Sequence, residues 1–575
     1  MYHLSKDIER YIRVLFRVMV FGVSLLVLLI SCDSKEPAEA IKEDETIWSI
    51  GKADGFSIEF KAGPMEEMEF IVGEDEPAKD FPGRQNGSQR SDREKQKHPY
   101  TVVFDHQEKS ADGYRLVIDL IYNTVSPEKI EVTVNDRKGI FPVRHNPKED
   151  LTAGQANTML LASQQLIIPV DVSWLKEKEN KITITPLGVG VMSYDALSFK
   201  KGQSPNSMPD NPHLQPTVFF HKQGEKMMEI VRLEVPFKKS FNNGEATIDF
   251  AGEEINTSFE NDGYDFGILT HAIDIPEFGG TEETKITVKL DDESYQVSQE
   301  IKPARKWTFY ITPRVHNDVG YTDLQPHVNE LDNRNTDRIM DVLDSYPFYV
   351  FNFETSWLVD NYLESRTENY RERFFDHAAE GRAPINAIYL NLLTGLTSGE
   401  ELYRATYFSH RLHKEHGTSF DWASLTDAPS HSWFLPTLLI DIGVKGFAVG
   451  SNQTRAPILR FSDLNEYSPF YWEGMNGEKI MMWYSRSYLQ LSRLTGGWQG
   501  QAEFDNMEVS VTQFLTRYRR NDYIPDAVMI YGSYVDNALI PKEADAPLIE
   551  RWNKKYTYPK LLTTSDSEFY DYINE

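Results

Sequence analysis

The chain changes its repeat at Lys306. Beyond that point short apolar runs alternate with longer amphipathic stretches. The runs are Phe309–Thr312, Phe348–Phe353, Ala387–Leu390, Ser424–Asp427, Gly446–Val449, Ile480–Tyr484 and Ala527–Tyr531. Between them lie candidate helices such as Asn333–Ser345, Trp357–Gly381 and Ser398–His416. A strand–helix–strand repeat of this kind predicts a parallel sheet with helices outside it, open or closed as a barrel. Catalytic groups in such folds sit where strands end.

Before Lys306 the period is two. Residues 46–200 contain short alternating segments, Phe56–Phe60, Tyr114–Tyr122, Ile130–Val134, Leu166–Val170 and Lys181–Thr185, punctuated by Gly, Asn and Pro. They predict an antiparallel β-sandwich. The charged stretch Glu74–His98 reads as a long loop. A linker rich in Pro, Ser and Asn spans 201–216. Residues 217–305, with Glu229–Phe237, Ala246–Phe250 and Lys285–Leu290, predict a small immunoglobulin-like sandwich. The expected chain is multidomain: two N-terminal all-β sandwiches, then an α/β domain over 306–575.

Charge narrows the partners. Lys and Arg total 60 against 88 Asp and Glu, a formal net charge of −28. Such a surface repels phosphate backbones and sets nucleic acid aside. Aromatic residues are 12%, with 10 Trp and 29 Tyr, which suits sugar-stacking platforms and equally suits large β-rich cores.

The N-terminus reads as a targeting segment. Lys6, Arg10, Arg13 and Arg17 lead into an uncharged run, Val18–Ser31, and then Cys32, the one cysteine. The run is shorter than the ~20 residues of a spanning helix, and a basic region before a short apolar one marks a secretory signal. Leu29-Ile30-Ser31-Cys32 resembles a bacterial lipobox. That resemblance implies a signal peptide over 1–31, lipidation of Cys32, a polar tether over 32–45 and a lipid-anchored place in the bacterial cell envelope.

Two strand ends carry candidate chemistry. The first continues into His316-Asn317-Asp318, and the fourth into Asp427-Ala428-Pro429-Ser430-His431. Imidazole and carboxylate at His-x-Asp spacing can share one side of a turning segment and bind zinc. A hydrogen-bonded His in a solvated loop is the other reading of that spacing. Glu354 ends the second run and either faces the site or is a rim carboxylate. His410, His413 and His416 read as a solvated helix end.

His316-Asn317-Asp318-Val319-Gly320-Tyr321 and Asp427-Ala428-Pro429-Ser430-His431-Ser432, the latter followed by Leu435–Leu439 and Gly443–Phe447, resemble the two signatures of glycoside hydrolase family 38, the zinc-dependent α-mannosidases. The resemblance covers 306–575. It implies a Zn2+ cofactor held by His316, Asp318 and Asp427, with Asp427 also the nucleophile of a retaining mechanism. It further implies Tyr321 as a platform under the sugar, where the family usually has Trp. Asn452 stands where many members have Arg, with Arg455 a further candidate, and Asp536 is a candidate substrate contact. It places the acid/base Asp and a fourth zinc ligand beyond residue 575, so the expectation is of a shortened or degenerate member. His431 matches no ligand.

Trp48–Gly55, Glu179–Ile184 and Val191–Leu197 resemble the carbohydrate-binding sandwich at the end of rhamnogalacturonan lyases. Trp48 and Tyr194 are its candidate sugar contacts, with core packing the competing role. The expected partners are a glycan substrate and a membrane reached through the lipid. Two other functions stay open: a non-catalytic glycan-binding lipoprotein, and a metal-dependent polysaccharide deacetylase. The deacetylase would want a second closely spaced His pair, which is not found.

Overall fold

The computed structural model describes residues 46–54, 57–88, 96–106, 113–121, 127–143, 163–202, 209–319, 322–452, 464–495, 504–534 and 536–575. The expected signal peptide (1–31), the expected tether (32–45) and Cys32 lie outside them. Among the described residues no helix is long and apolar enough to cross a membrane.

The first block is a two-layer β structure. One layer is a six-stranded sheet in which Val191–Lys201 pairs with Tyr114–Ile121, Thr46–Gly51 and Pro82–Asn86. The facing layer contains Tyr100–Phe104, Asn180–Leu187, Lys129–Val134 and Arg137–Pro142. Leu116, Ile118 and Leu120 from one layer meet Val102, Ile182 and Val132 in one buried cluster, as period-two patterning requires. Trp48 stacks on Phe199 and touches Phe104, and Tyr194 is fully buried, so both pack the core.

Two expectations fail in this block. Phe56 lies outside the described residues, and Ser57–Phe60 forms a turn rather than a strand. The predicted loop Glu74–His98 contains a short helix, Pro77–Asp80, and the strand Pro82–Asn86. Its polarity hides a buried, satisfied glutamine. Gln85 donates to the carbonyls of His98 and Ile184 (2.8 Å to the latter) and accepts from the Tyr194 hydroxyl. A fully paired polar side chain can be interior where hydropathy predicts solvent.

The two sandwiches are not separate bodies. Phe266–Pro276 of the second block runs parallel to Arg137–Pro142 of the first, through Phe266↔Gly139 and Gly267↔Ile140. This pairing makes one eight-stranded sheet from Met68–Ile71 to His213–Gln223. Glycine is required at the seam: Gly267 has φ +132°, and a Cβ there would lie 2.1 Å from the Ile140 carbonyl oxygen. A four-stranded sheet, Glu253–Glu260, Asn243–Phe250, Glu282–Leu290 and Glu293–Ile301, completes the second sandwich.

The third block is a parallel β/α barrel. Thr308–Val315 lies between Ala527–Tyr534 and Lys560–Thr563, and Trp422–Thr426, Gly446–Gly450 and Lys479–Ser485 form a second parallel set. The predicted runs 348–353 and 387–390 do not form regular strands. They still join the two sets: Asn352 N donates to Pro313 O (2.7 Å), Phe353 N to Pro384 O (2.9 Å) and Ala387 N to Trp422 O (3.3 Å). On the other side Tyr488 N donates to Ser451 O (2.9 Å) and Ser533 N to Tyr488 O (3.0 Å). Backbone hydrogen bonds therefore run all the way round. The helices Gln325–Ser345, Ser356–Ser365, Glu368–Ala379 and Tyr407–His416 occupy the predicted helical stretches, two of which are each split in two.

Arg314 sits inside this barrel with no exposed surface. Its guanidinium pairs with Asp566, at the start of the helix Asp566–Asn574, and donates to Ser424 Oγ (2.9 Å). It also lies over the Tyr531 ring, 4.2 Å from the centroid. Removing one partner strands the other as an unpaired buried charge, at a cost of about 3–5 kcal/mol. Asp566→Ala is thus expected to lower barrel stability by that amount in urea unfolding. The double change Arg314→Met with Asp566→Leu should recover most of the loss; a double variant as unstable as the single one would refute this account.

Candidate metal and catalytic centre

The strand Thr308–Val315 delivers His316 and Asp318 to the C-terminal rim of the barrel. Both are buried. Asn537 clamps this turn from the neighbouring strand end: its Oδ1 accepts from Asp318 N (3.0 Å), its Nδ2 donates to Asp318 O (2.8 Å), and its own N donates to His316 O (3.0 Å). The clamp brings Asp536 beside them. One ligand atom from each of His316, Asp318 and Asp536 falls within 4.8 Å of the others.

Glu354 holds the far side of the imidazole. It is fully buried, and Oε1 lies 2.8 Å from His316 Nδ1. The same oxygen accepts from Asn317 N (3.2 Å) and Asn391 Nδ2 (2.8 Å), and Oε2 accepts from Ser533 Oγ (3.0 Å). Burial opposes charge on His316, but the Glu354 and Asp318 carboxylates outweigh it and hold its pKa up to about 10. Burial likewise works against the Glu354 anion, and the His316 charge overcomes it, leaving that carboxyl below its ordinary value.

Asp427 follows the strand Trp422–Thr426 in a left-handed conformation, φ +50°, with its N–H bonded to Gly450 O (2.8 Å). Asp is among the few residues that tolerate this backbone. Asn452 Nδ2 donates to Asp427 Oδ2 (2.8 Å), leaving Oδ1 as the oxygen Asn452 does not hold. Burial raises the Asp427 pKa; Asn452 and His316 lower it, while Asp318 and Asp536 push it up. Asp427 therefore shares the electrostatic field of the triad without belonging to it. Of the three residues expected to bind metal, the structure gathers His316 and Asp318, and it adds Asp536, expected as a substrate contact.

The residues fit a cation. His316 Nε2 is buried and makes no hydrogen bond, with Asp318 Oδ1 3.2 Å away. One imidazole nitrogen with two carboxylates is a donor set that suits zinc. Nδ1 is committed to Glu354, so Nε2 is the nitrogen available to a metal, which would displace its proton.

Tyr488 is a neighbour that sequence reasoning missed. Its ring centroid lies 4.7 Å from that of His316, and its hydroxyl donates to Asp536 Oδ1 (2.8 Å). No local motif marks it, because barrel closure alone brings it in. Tyr321 and Arg455 lie outside the described residues. His431 packs against Phe447, Trp472 and Tyr484, and burial lowers its pKa to about 4, so it shapes the loop. His416 stacks on Phe375, His410 lies against Phe420 and His413 meets the Thr418 carbonyl, away from the triad.

A closed parallel barrel with a histidine and three aspartates at its C-terminal rim defines a β/α-barrel domain with a candidate metal centre. The family comparisons are more specific. Residues 306–575 match the glycosyl hydrolases family 38 N-terminal domain, and residues 46–211 match polysaccharide lyase family 4, domain III, a carbohydrate-binding-module-like domain. The match to the family 38 N-terminal domain thus follows, in the sequence, the match to the carbohydrate-binding-like domain. No curated protein matches the chain. Among solved structures it is similar to an α-mannosidase from Enterococcus faecalis V583, at 18% identity and TM-score 0.40, over 47% of this chain and 29% of that one. A second Enterococcus faecalis protein, of glycosyl hydrolase family 38, matches at 16% identity and TM-score 0.34, over 47% and 28%. A polysaccharide deacetylase from Bacillus cereus matches at 9% identity and TM-score 0.16, over 42% and 89%. The chain thus spans under a third of the length of both Enterococcus proteins.

Asp332, on the helix Gln325–Ser345, lies behind the centre and accepts from Asn317 Nδ2 (2.7 Å). Burial raises its pKa to about 7, against the pull of Asn317. A carboxyl whose folded pKa exceeds its unfolded one loses stability as pH rises between the two, here from about 4 to about 7. Asp332→Asn keeps the acceptor and abolishes the titration. With chelator present it is expected to raise stability at pH 8 by up to about 4 kcal/mol and to change little at pH 4. Equal effects at both pH values in thermal melts would contradict the assignment.

Proposed function

We propose that this protein is a zinc-dependent retaining glycoside hydrolase, α-mannosidase-like, that acts on glycans at the bacterial cell envelope and is anchored there through lipid on Cys32. The observation that carries the catalytic reading is the His316–Asp318–Asp536 triad beside a separately held Asp427 carboxylate. The family 38 domain match supports it, and the carbohydrate-binding-like sandwich supports a glycan as substrate.

His316, Asp318 and Asp536 would hold the zinc, with Asp427 as the further ligand that the family resemblance implies. A zinc ion there supplies a Lewis acid for sugar hydroxyls. Asp427 is the nucleophile. Asn452 holds Oδ2, so Oδ1 forms the bond to the anomeric carbon as the bond from that carbon to the leaving oxygen breaks. The leaving oxygen takes a proton from a carboxylic acid, and water then cleaves the glycosyl ester with net retention. Asp536 is held in place by the Tyr488 hydroxyl, which donates to its Oδ1 (2.8 Å).

Asp427→Ala is expected to lower aryl α-mannoside cleavage by about 10³-fold or more. Retained turnover would sink the glycosidase assignment. Asp536→Asn is expected to weaken zinc binding and to lower aryl α-mannoside turnover together; unchanged zinc affinity in that variant would remove Asp536 from the ligand set.

A further inference from the structure

We propose that Glu354 is a positioning residue that sets the affinity of the metal centre, acting through His316 rather than by touching the ion or the sugar. The inference rests on the reading of His316 as a metal ligand and goes beyond it. An imidazole can present either nitrogen, and a ring turned over would offer the wrong one. Glu354 removes that freedom by accepting from Nδ1 at 2.8 Å, which leaves Nε2 on the side of Asp318 and Asp536.

Glu354 can do this because it is itself held from several directions. Asn317 N reaches it from the same turn as His316, Asn391 Nδ2 from the segment after the run 387–390, and Ser533 Oγ from the strand Ala527–Tyr534. Three separate parts of the barrel rim thus converge on one carboxylate with no exposed surface. Its negative charge also makes the imidazole a stronger electron donor, which tightens metal binding. A carboxylate serving only to fill the rim would need neither the fixed contact with Nδ1 nor this convergence.

The test is zinc affinity, measured by competition with a chromophoric chelator on the purified protein, with no substrate present. Glu354→Gln keeps the shape and the acceptor but loses the charge. Glu354→Asp keeps the charge but withdraws the carboxylate from Nδ1. Each is expected to weaken zinc binding by about 10–100-fold in protein that still folds. Ser533→Ala removes one of the three donors that hold Glu354 and is expected to weaken zinc binding by less than either Glu354 change. Wild-type zinc affinity in a folded Gln or Asp variant would overturn the proposal. So would an equal loss in Ser533→Ala, because that would mark general loosening of the rim. If wild-type protein binds no zinc at all, the reading of His316 as a ligand fails first, and the two failures are distinguished.

Discussion

A guanidinium with no access to water governs how this barrel can close. Arg314 lies two residues before His316, and its charge is met by Asp566, by the Ser424 hydroxyl and by the face of Tyr531. These partners come from the C-terminal helix and two non-adjacent strands. A buried charge lacking any of them would cost more than most single contacts contribute. The barrel therefore has one arrangement in which the interior is electrically satisfied. In that arrangement the strand carrying Arg314 ends with His316 and Asp318 facing the strand end that carries Asp536. The site inherits its geometry from a contact below it.

Much of the fold was legible because its signal is local. The apolar runs at 309–312, 446–449, 480–484 and 527–531 are strands, since uninterrupted burial on both faces leaves a plain mark. The runs at 348–353 and 387–390 leave the same mark, yet they pair irregularly. Asn352 and Asn386 replace ladder bonds with side-chain ones: Asn352 Nδ2 donates to Thr564 O, and Asn386 both donates to Ser424 O and accepts from Ser424 N. Hydropathy cannot distinguish a strand from an apolar segment tied by amides. The seam between the sandwiches was equally hidden. It depends on Gly267 lacking a side chain opposite Ile140, and nothing near Gly267 in sequence announces a partner more than a hundred residues away.

The site divides in the same way. His316 and Asp318 were readable as a pair because two residues of spacing keep them together in any tight turn. Asp427 was readable by resemblance, and its left-handed backbone gives that position a physical reason to be Asp. The position of Asp536 in the triad, the contact of Tyr488 and the convergence on Glu354 were not readable from spacing. Each exists only because distant strand ends meet on a closed rim. Trp48 and Tyr194 teach the converse. An aromatic in a sandwich is first a core residue, and the Tyr194 hydroxyl is spent on Gln85 rather than left for a sugar.

The eight-stranded sheet shared by the two sandwiches has a consequence for reach. The second sandwich is itself stitched to the barrel, where Phe220 exchanges backbone hydrogen bonds with Thr557 and Tyr558 and Val218 enters the barrel core. Binding modules on supple linkers sample a volume, and they help by raising the local concentration of any chain they catch. A module continuous with its neighbours by hydrogen-bonded strands samples almost nothing. The first sandwich therefore stands at a fixed distance and angle from the barrel, through a continuous chain of hydrogen-bonded strands.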